Sequence, residues 1–343
     1  MKPSFASLSL DLDNQWSYLK THGDRGWESY PSFLDIVVPR VLRVLEERKL
    51  KITFFVVGKD AALEKNRAAL TQIVRAGHEI GNHSFHHEPW LHLYAEEEIE
   101  AEIAHAEEAI ERALGVVPRG FRGPGFSLSK STLRVLQRRG YRYDCSTFPT
   151  YLGPLARAYY FMTAKLSERE KEERRMLFGT FAEGRRPLNP YHWLVDGETL
   201  LEIPVTTMPL FKTPIHVSYL LYASMASGIC ARAYFRSALD LCRWGGTEPS
   251  ILLHPLDFLG KDDVRDLEFF PAMGVSGEEK TKRAGEFLDI LRERFQILSM
   301  TEHASRLASR QDLPVLVPKF SHPSGSRIVR APTSSSDNGR SIR

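Results

Sequence analysis

Strict alternation opens the chain. From Phe5 to Leu12, the apolar Ala6, Leu8, Leu10 and Leu12 interleave with Phe5, Ser7, Ser9 and Asp11, the two-residue period of a strand. A helix is predicted over Ser32 to Arg48, where Val37, Val41, Val44 and Leu45 mark one face. Lys51 to Val57 is an apolar run of the kind buried in a parallel sheet, and Asp60 to Arg75 is helical. His78 to Gly81 is a third strand. Glu96 to Leu114 is a long helix with Ile99, Ile103, Ala106 and Ile110 at helical spacing, its acidic run reading as a solvated face. Strand Val117 to Phe121, helix Ser129 to Arg139 and strand Tyr141 to Cys145 continue the rhythm. Strands alternating with helices in this way predict an α/β fold with parallel strands.

Between Thr147 and Trp193 the rhythm breaks. A charged helix, Ser167 to Arg175, has Ser167 and Glu170 placed as a capping box, and aromatic residues surround it (Tyr151, Tyr160, Phe161, Phe178, Phe181, Tyr191, Trp193). The expectation is an insertion packed over the mouth of the fold, where substrate is selected. Leu200 to Thr206 then resumes as a strand, Arg232 to Arg243 as a helix and Ser250 to Leu253 as a strand. Helix Glu278 to Arg294 and strand Phe295 to Met300 end the pattern. One domain is therefore expected over residues 1–312. From Leu313 to Arg343 the chain turns to Pro, Ser, Gly and Arg, with little to bury, and disorder is expected.

Thr213 to Ala231 carries no Asp, Glu, Lys or Arg. A membrane span needs about 20 mostly apolar residues, and Pro214, His216, Ser218, Ser224, Ser227 and Gly228 interrupt this one. A buried helix is the plain reading. The sharper one is a helix resting in a membrane interface through the apolar face of residues 217–229.

Composition narrows the partners. A net charge of +3, with no basic stripe interleaved with aromatics, argues against nucleic acid. The three cysteines, Cys145, Cys230 and Cys242, are odd in number and lack CxxC spacing, so they read as reduced thiols. The first residues enter a strand with no basic and then apolar leader, so a cytoplasmic location is expected.

Chemistry collects at the strand ends. In chain order these offer Asp11 and Asp13, His83 and His87, Arg122, Asp144, and His254. A barrel brings its strand ends into one ring, where such folds place their active sites. His83 and His87 are four apart, so on one helical turn both imidazoles face the same way. Two histidines with one carboxylate make a facial site for a divalent metal with open positions. The second carboxylate is placed to take a proton from water, and His254 to protonate a leaving amine. The turn Arg122-Gly123-Pro124-Gly125-Phe126 brings a backbone N–H close to a ligand.

In this order and at strand ends, the pieces SLDLD, HSFHH, FRGPGFS, YDCS and LHP resemble the polysaccharide deacetylases. The resemblance covers roughly Ser4 to Met300, with Thr147 to Trp193 as an added segment. It implies a distorted, incomplete (β/α)7-type barrel with the helical, aromatic insertion over its mouth. It implies Asp13, His83 and His87 as ligands of one divalent metal, usually zinc. Asp11 is then the general base, held by Arg122, and His254 the general acid. Gly125 falls where a backbone N–H meets the oxyanion, with Phe126 and, more loosely, Asp144 as substrate-side residues. Leu12 separates two acids that more often stand adjacent, a spacing also found in cytosolic amide and imide hydrolases of the family.

The expected function is removal of an N-acyl group, acetyl or formyl, from a sugar. A cytoplasmic or lipid-linked glycan precursor is the expected partner, with peripheral association at the inner membrane face. One alternative is hydrolysis of a small cyclic amide or imide. Another is a non-catalytic sugar-binding barrel, which would have no need of both a base and an acid.

Overall fold

Alternation along Phe5–Leu12 (β1) decides how the rest is arranged. Ala6, Leu8, Leu10 and Leu12 join a core shared with the surrounding helices. Ser7, Ser9 and Asp11 point the other way, into the ring of strands, and Asp13 continues that line. The computed structural model describes residues 4–174 and 181–320. Phe178 of the insertion and the expected disordered tail past Phe320 lie outside them.

After β1 come helices α1 (Gln15–His22) and α2 (Leu34–Glu47), strand β2 (Thr53–Val56), helices α3 (Gly58–Ala62) and α4 (Glu64–Arg75), and β3 (Glu79–Asn82). Helix α5 (Glu96–Leu114), β4 (Gly120–Phe121), α6 (Lys130–Arg138) and β5 (Tyr143–Asp144) complete the regular half. The second half holds α7 (Gly153–Thr163), α8 (Glu168–Glu173), β6 (Tyr191–Val195), β7 (Glu198–Glu202), α9 (Val217–Ala226) and α10 (Gly228–Trp244). It closes with β8 (Ser250–Leu253), α11 (Gly277–Arg292), β9 (Gln296–Leu298), α12 (Met300–Leu307) and β10 (Val315–Leu316).

The sheet runs β10-β6-β7-β5-β4-β3-β2-β1-β8, with β9 also on β1. Every pairing is parallel except β6 with β7. Beyond β7 the chain reaches the far edge of the sheet. There Thr206 N–H donates to the Ser250 carbonyl at 2.9 Å, and Ser250 N–H donates to Thr206 Oγ1 at 2.8 Å. The strands thus form a distorted, incomplete barrel. Helix α12 sits under its N-terminal end, where Met300 N–H donates to Thr53 Oγ1 and His303 Nδ1 meets Ser7 Oγ.

Two expectations change. Tyr191 and Trp193 belong to a strand, not to the insertion: Asp196 (φ 49°) and Gly197 (φ 92°) form a hairpin turn between β6 and β7. Left-handed φ at both central residues is what an Asp-Gly hairpin turn requires, and the sequence carried that signal. Past Leu313 the chain is not idle. Val315 and Leu316 pair with His192 and Trp193, and Leu313 joins the barrel's inner core. In the 217–229 stretch, Val217, Leu220 and Leu221 are buried in the main core, leaving Tyr219, Met225 and Ile229 outward. No helix among the described residues is long and apolar enough to cross a membrane.

Helices α7 and α8 do lie over the mouth. Tyr160 Oη donates to the Thr21 carbonyl, Arg174 Nη1 donates to the same oxygen, and the Arg174 guanidinium covers the Trp90 ring at 4.6 Å. Helix α1 leaves directly from Asp13 and Asn14, so these contacts tie the insertion to the rim.

Candidate active site

A two-residue spacing puts Asp11 and Asp13 on the same inward face of β1. Asp11 accepts from Arg122 Nη1 at 2.8 Å. Arg122, fully buried at the end of β4, also donates to Ser9 Oγ and to the Cys145 carbonyl, and its guanidinium lies over the Phe55 ring. A buried cation of this kind survives only with its partners in place. Burial opposes its charge, and Asp11 and the Cys145 neighbourhood together more than offset that.

Asp13 faces two imidazoles. His83 Nε2 lies 3.3 Å and His87 Nε2 2.9 Å from Asp13 Oδ1. His83 Nδ1 is 2.7 Å from the Arg122 carbonyl. A carbonyl only accepts, so Nδ1 carries the proton and Nε2 turns its lone pair to Asp13. His87 Nδ1 and Nε2 and Asp13 Oδ1 are buried without hydrogen-bond partners among the described residues. The candidate ligand atoms of the three residues all lie within 4.8 Å of one another. Buried lone pairs gathered on one point are costly unless a cation joins them, so the residues fit a divalent metal.

The histidines meet by a different route from the helical turn expected of their spacing. Residues 83–90 form a loop, with Ser84 (φ 59°) and His87 (φ 49°) in the left-handed region. Strain of this kind persists where surrounding structure fixes it. Here Gly58 and Lys59 N–H groups donate to the Ser84 and Phe85 carbonyls, and Glu102 accepts from His86 N–H at 2.9 Å and meets His86 Nδ1 at 2.6 Å. Glu102 is buried. It is the exception in an acidic run read as solvated, and its place beside Ile99, Ile103 and Ala106 on the apolar stripe could have flagged it.

Three more expected residues lie at or just past the ends of β4 and β5. Gly125 (φ 57°) is exposed in the turn after β4, where a Cβ would stand 3.0 Å from Pro89, and Phe126 follows it. Asp144, by contrast, is fully buried. Its carboxyl accepts from Ser146 Oγ at 2.6 Å, and burial raises its pKa. Glu202 stands beside it, pushed well above the usual range by burial and by Asp144. Asp144 is thus held at the end of β5 by Ser146 and beside Glu202.

His254 follows Leu253, which pairs with Leu10 of β1, so it rises beside Asp11. Its orienting partners are Ser218, with Oγ 3.1 Å from His254 Nδ1, and Asp257, which accepts from the His254 backbone N–H at 2.8 Å. Neither was picked out from sequence. His216 was also passed over, although it is buried and its ring lies 5.5 Å from that of His254.

An open, mostly parallel barrel carrying a carboxylate and two histidines at its strand ends, beside an arginine-held carboxylate and a histidine, is the architecture of a one-metal pocket. Residues 24–143 match the family model described as Polysaccharide deacetylase. It is 28% identical over 152 residues to a peptidoglycan deacetylase of Helicobacter pylori, covering 42% of this chain and 50% of that one. The chain spans no more than half the length of the curated relatives it matches. A Mycobacterium smegmatis crystal structure named for the polysaccharide deacetylases superposes with a TM-score of 0.58 at 20% identity, covering 94% of this chain and 97% of that one. Puue allantoinase gives 0.56 at 17%, covering 89% and 90%. These two likenesses concern the fold.

Proposed function

We propose that the protein is a metal-dependent hydrolase that removes an N-acyl group from an amino sugar. The observation that carries the reading is the meeting of Asp13, His83 and His87, with their unsatisfied buried atoms, beside the Arg122-held Asp11. Asp13, His83 and His87 would hold the metal, zinc by the nature of the donors. A bound divalent metal supplies Lewis acidity toward the amide carbonyl and makes water more acidic. Asp11 takes the proton of the attacking water, and Arg122 keeps its carboxylate aimed. The Gly125 turn offers its backbone N–H to the developing oxyanion. His254, set by Ser218 and Asp257, gives a proton to the leaving amine. The peptidoglycan deacetylase among its relatives, by its name, supports a sugar as substrate.

One observation favours a lipid-linked form of that sugar. Leu155, Phe181, Leu210 and Phe211 are 67%, 65%, 78% and 66% exposed. Thr150 Oγ1 bonds the Lys212 carbonyl and the Tyr151 ring abuts Gly184, which draws these segments together at the rim. The free thiols fit a reducing compartment. The test is carboxylate release: zinc-loaded protein is incubated with lipid and aqueous fractions of cell extract, and acetate and formate are quantified. Release from an N-acyl sugar in either fraction supports the reading, and release from the lipid fraction alone supports the lipid-linked form. Turnover confined to small cyclic amides or imides would replace it.

A further inference from the structure

The charge-free stretch beginning at Thr213 has a place at the mouth that its hydropathy does not announce. Its residues His216 to Tyr219 enter helix α9, and two side chains of this one turn, His216 and Ser218, meet the proposed general acid. Ser218 bonds His254. The His216 ring stands 5.5 Å from His254 at 63° and 4.5 Å from Tyr219 at 89°. On its other side, Phe148 lies 5.7 Å from His216 and stacks on Phe126 at 4.8 Å. An unbroken row of rings thus runs from the Gly125 turn to His254.

His216 is 6% exposed, and its Nδ1 is buried without a hydrogen-bond partner among the described residues. A buried ring nitrogen without a hydrogen-bond partner is poor packing unless something else meets it. Burial, with His254 and Arg122 nearby, keeps its pKa well below the usual value, so at neutral pH the imidazole is uncharged. A neutral imidazole offers one donor and one acceptor. A sugar hydroxyl needs both, and a sugar ring presents an apolar face that suits aromatic side chains. Binding pockets combine these two elements, an apolar lining and a few placed polar groups.

We infer that His216, Phe148 and Tyr219 form the subsite for the sugar ring whose acylated nitrogen is cleaved, with a ring hydroxyl on His216. The subsite rests on the N-deacylase reading above, and two probes separate them. N-acetylated chitotriose carries the hydroxyls; acetanilide carries the same amide without them. His216→Asn and Tyr219→Ala are compared with the unaltered protein, each zinc-loaded and checked for metal content and melting temperature. Tyr219 is half exposed, so its removal leaves the fold intact if His216→Asn does not.

Both substitutions should lower kcat/KM for chitotriose roughly 10–100-fold, the usual consequence of removing one partner of a buried polar contact, mainly through KM. Acetanilide, which has no hydroxyl for His216, should lose less than chitotriose does with His216→Asn. Chitotriose binding is also titrated in the Asp11→Asn background, where it does not depend on turnover, and His216→Asn should weaken it by a similar factor. Equal loss on both amides, or unchanged chitotriose binding, overturns the subsite. Chitotriose binding that weakens with His216→Asn, in a protein that releases no acetate, supports the subsite and overturns the N-deacylase reading instead.

Discussion

Asp11 and Asp13 differ by two residues in sequence and by their whole chemistry in the fold. Asp11 has an arginine for company and Asp13 two imidazoles, so their substitutions should separate cleanly. Asp13→Ala, His83→Ala and His87→Ala each remove a ligand and should abolish stoichiometric zinc, measured by metal analysis after gel filtration. Asp11→Asn should keep the zinc and lose turnover by about 10²–10⁴, and so should His254→Ala. Loss of metal on changing His254 would overturn the division of roles. Asp60 gives a test of stability. It is buried, its Oδ1 accepts from Asn14, Trp16 and Asn66, and its Oδ2 has no partner among the described residues. Burial raises its pKa to about 7, with Asp13 adding to the effect. The folded state then keeps a proton that the unfolded chain releases near its ordinary pKa. Stability from this group falls as pH rises from about 4 to about 7, by on the order of 4 kcal/mol. Asp60→Asn should remove that fall, read as melting temperature against pH for the metal-free protein. The six residues Asp11, Asp13, His83, His87, Arg122 and His254 could be read from sequence because each closes a strand or its loop. His216, Ser218 and Asp257 could not, since their part depends on which way a helix start and a short turn face.

At the level of elements, the inner and outer faces of β1 share one alternation, and β4 contributes Arg122 from a strand of only two residues. Arg122→Met should destabilise the fold by roughly 3–5 kcal/mol, the range for breaking a buried ion pair, because it strands Asp11; urea unfolding measures it. The alternating helices and parallel strands were legible because their periods differ. The β6–β7 hairpin was hidden by its position inside an irregular, aromatic segment, although Asp196-Gly197 marks it. Helix α9, free of charge, reads first as a buried helix, and Val217, Leu220 and Leu221 are packed inside. Apolar content alone does not say which surface an element meets.

For the whole molecule, the C-terminal segment matters more than its composition suggests. Leu313 is buried, β10 extends the sheet edge, and Phe320 packs near Trp193, with ring centroids 5.8 Å apart. A chain ended after Asp312 should be about 2–3 kcal/mol less stable than one ended after Phe320, the worth of one buried leucine and some pairing. A tail reading drawn from Pro, Ser and Gly misses this because two paired residues are too few to leave a periodic signal. Among the described residues, strand β8 meets the β7 side of the barrel thinly, at Thr206 against Ser250, while β1 on its other side is held along its length. His254 stands just past that junction. A hoop with a single clasp spreads at the clasp, so the wall bearing His254 is the side that yields when a bulky or branched molecule enters. Amide exchange at Thr206 and Ser250 should outpace that at Leu10, and should slow when such a molecule is bound.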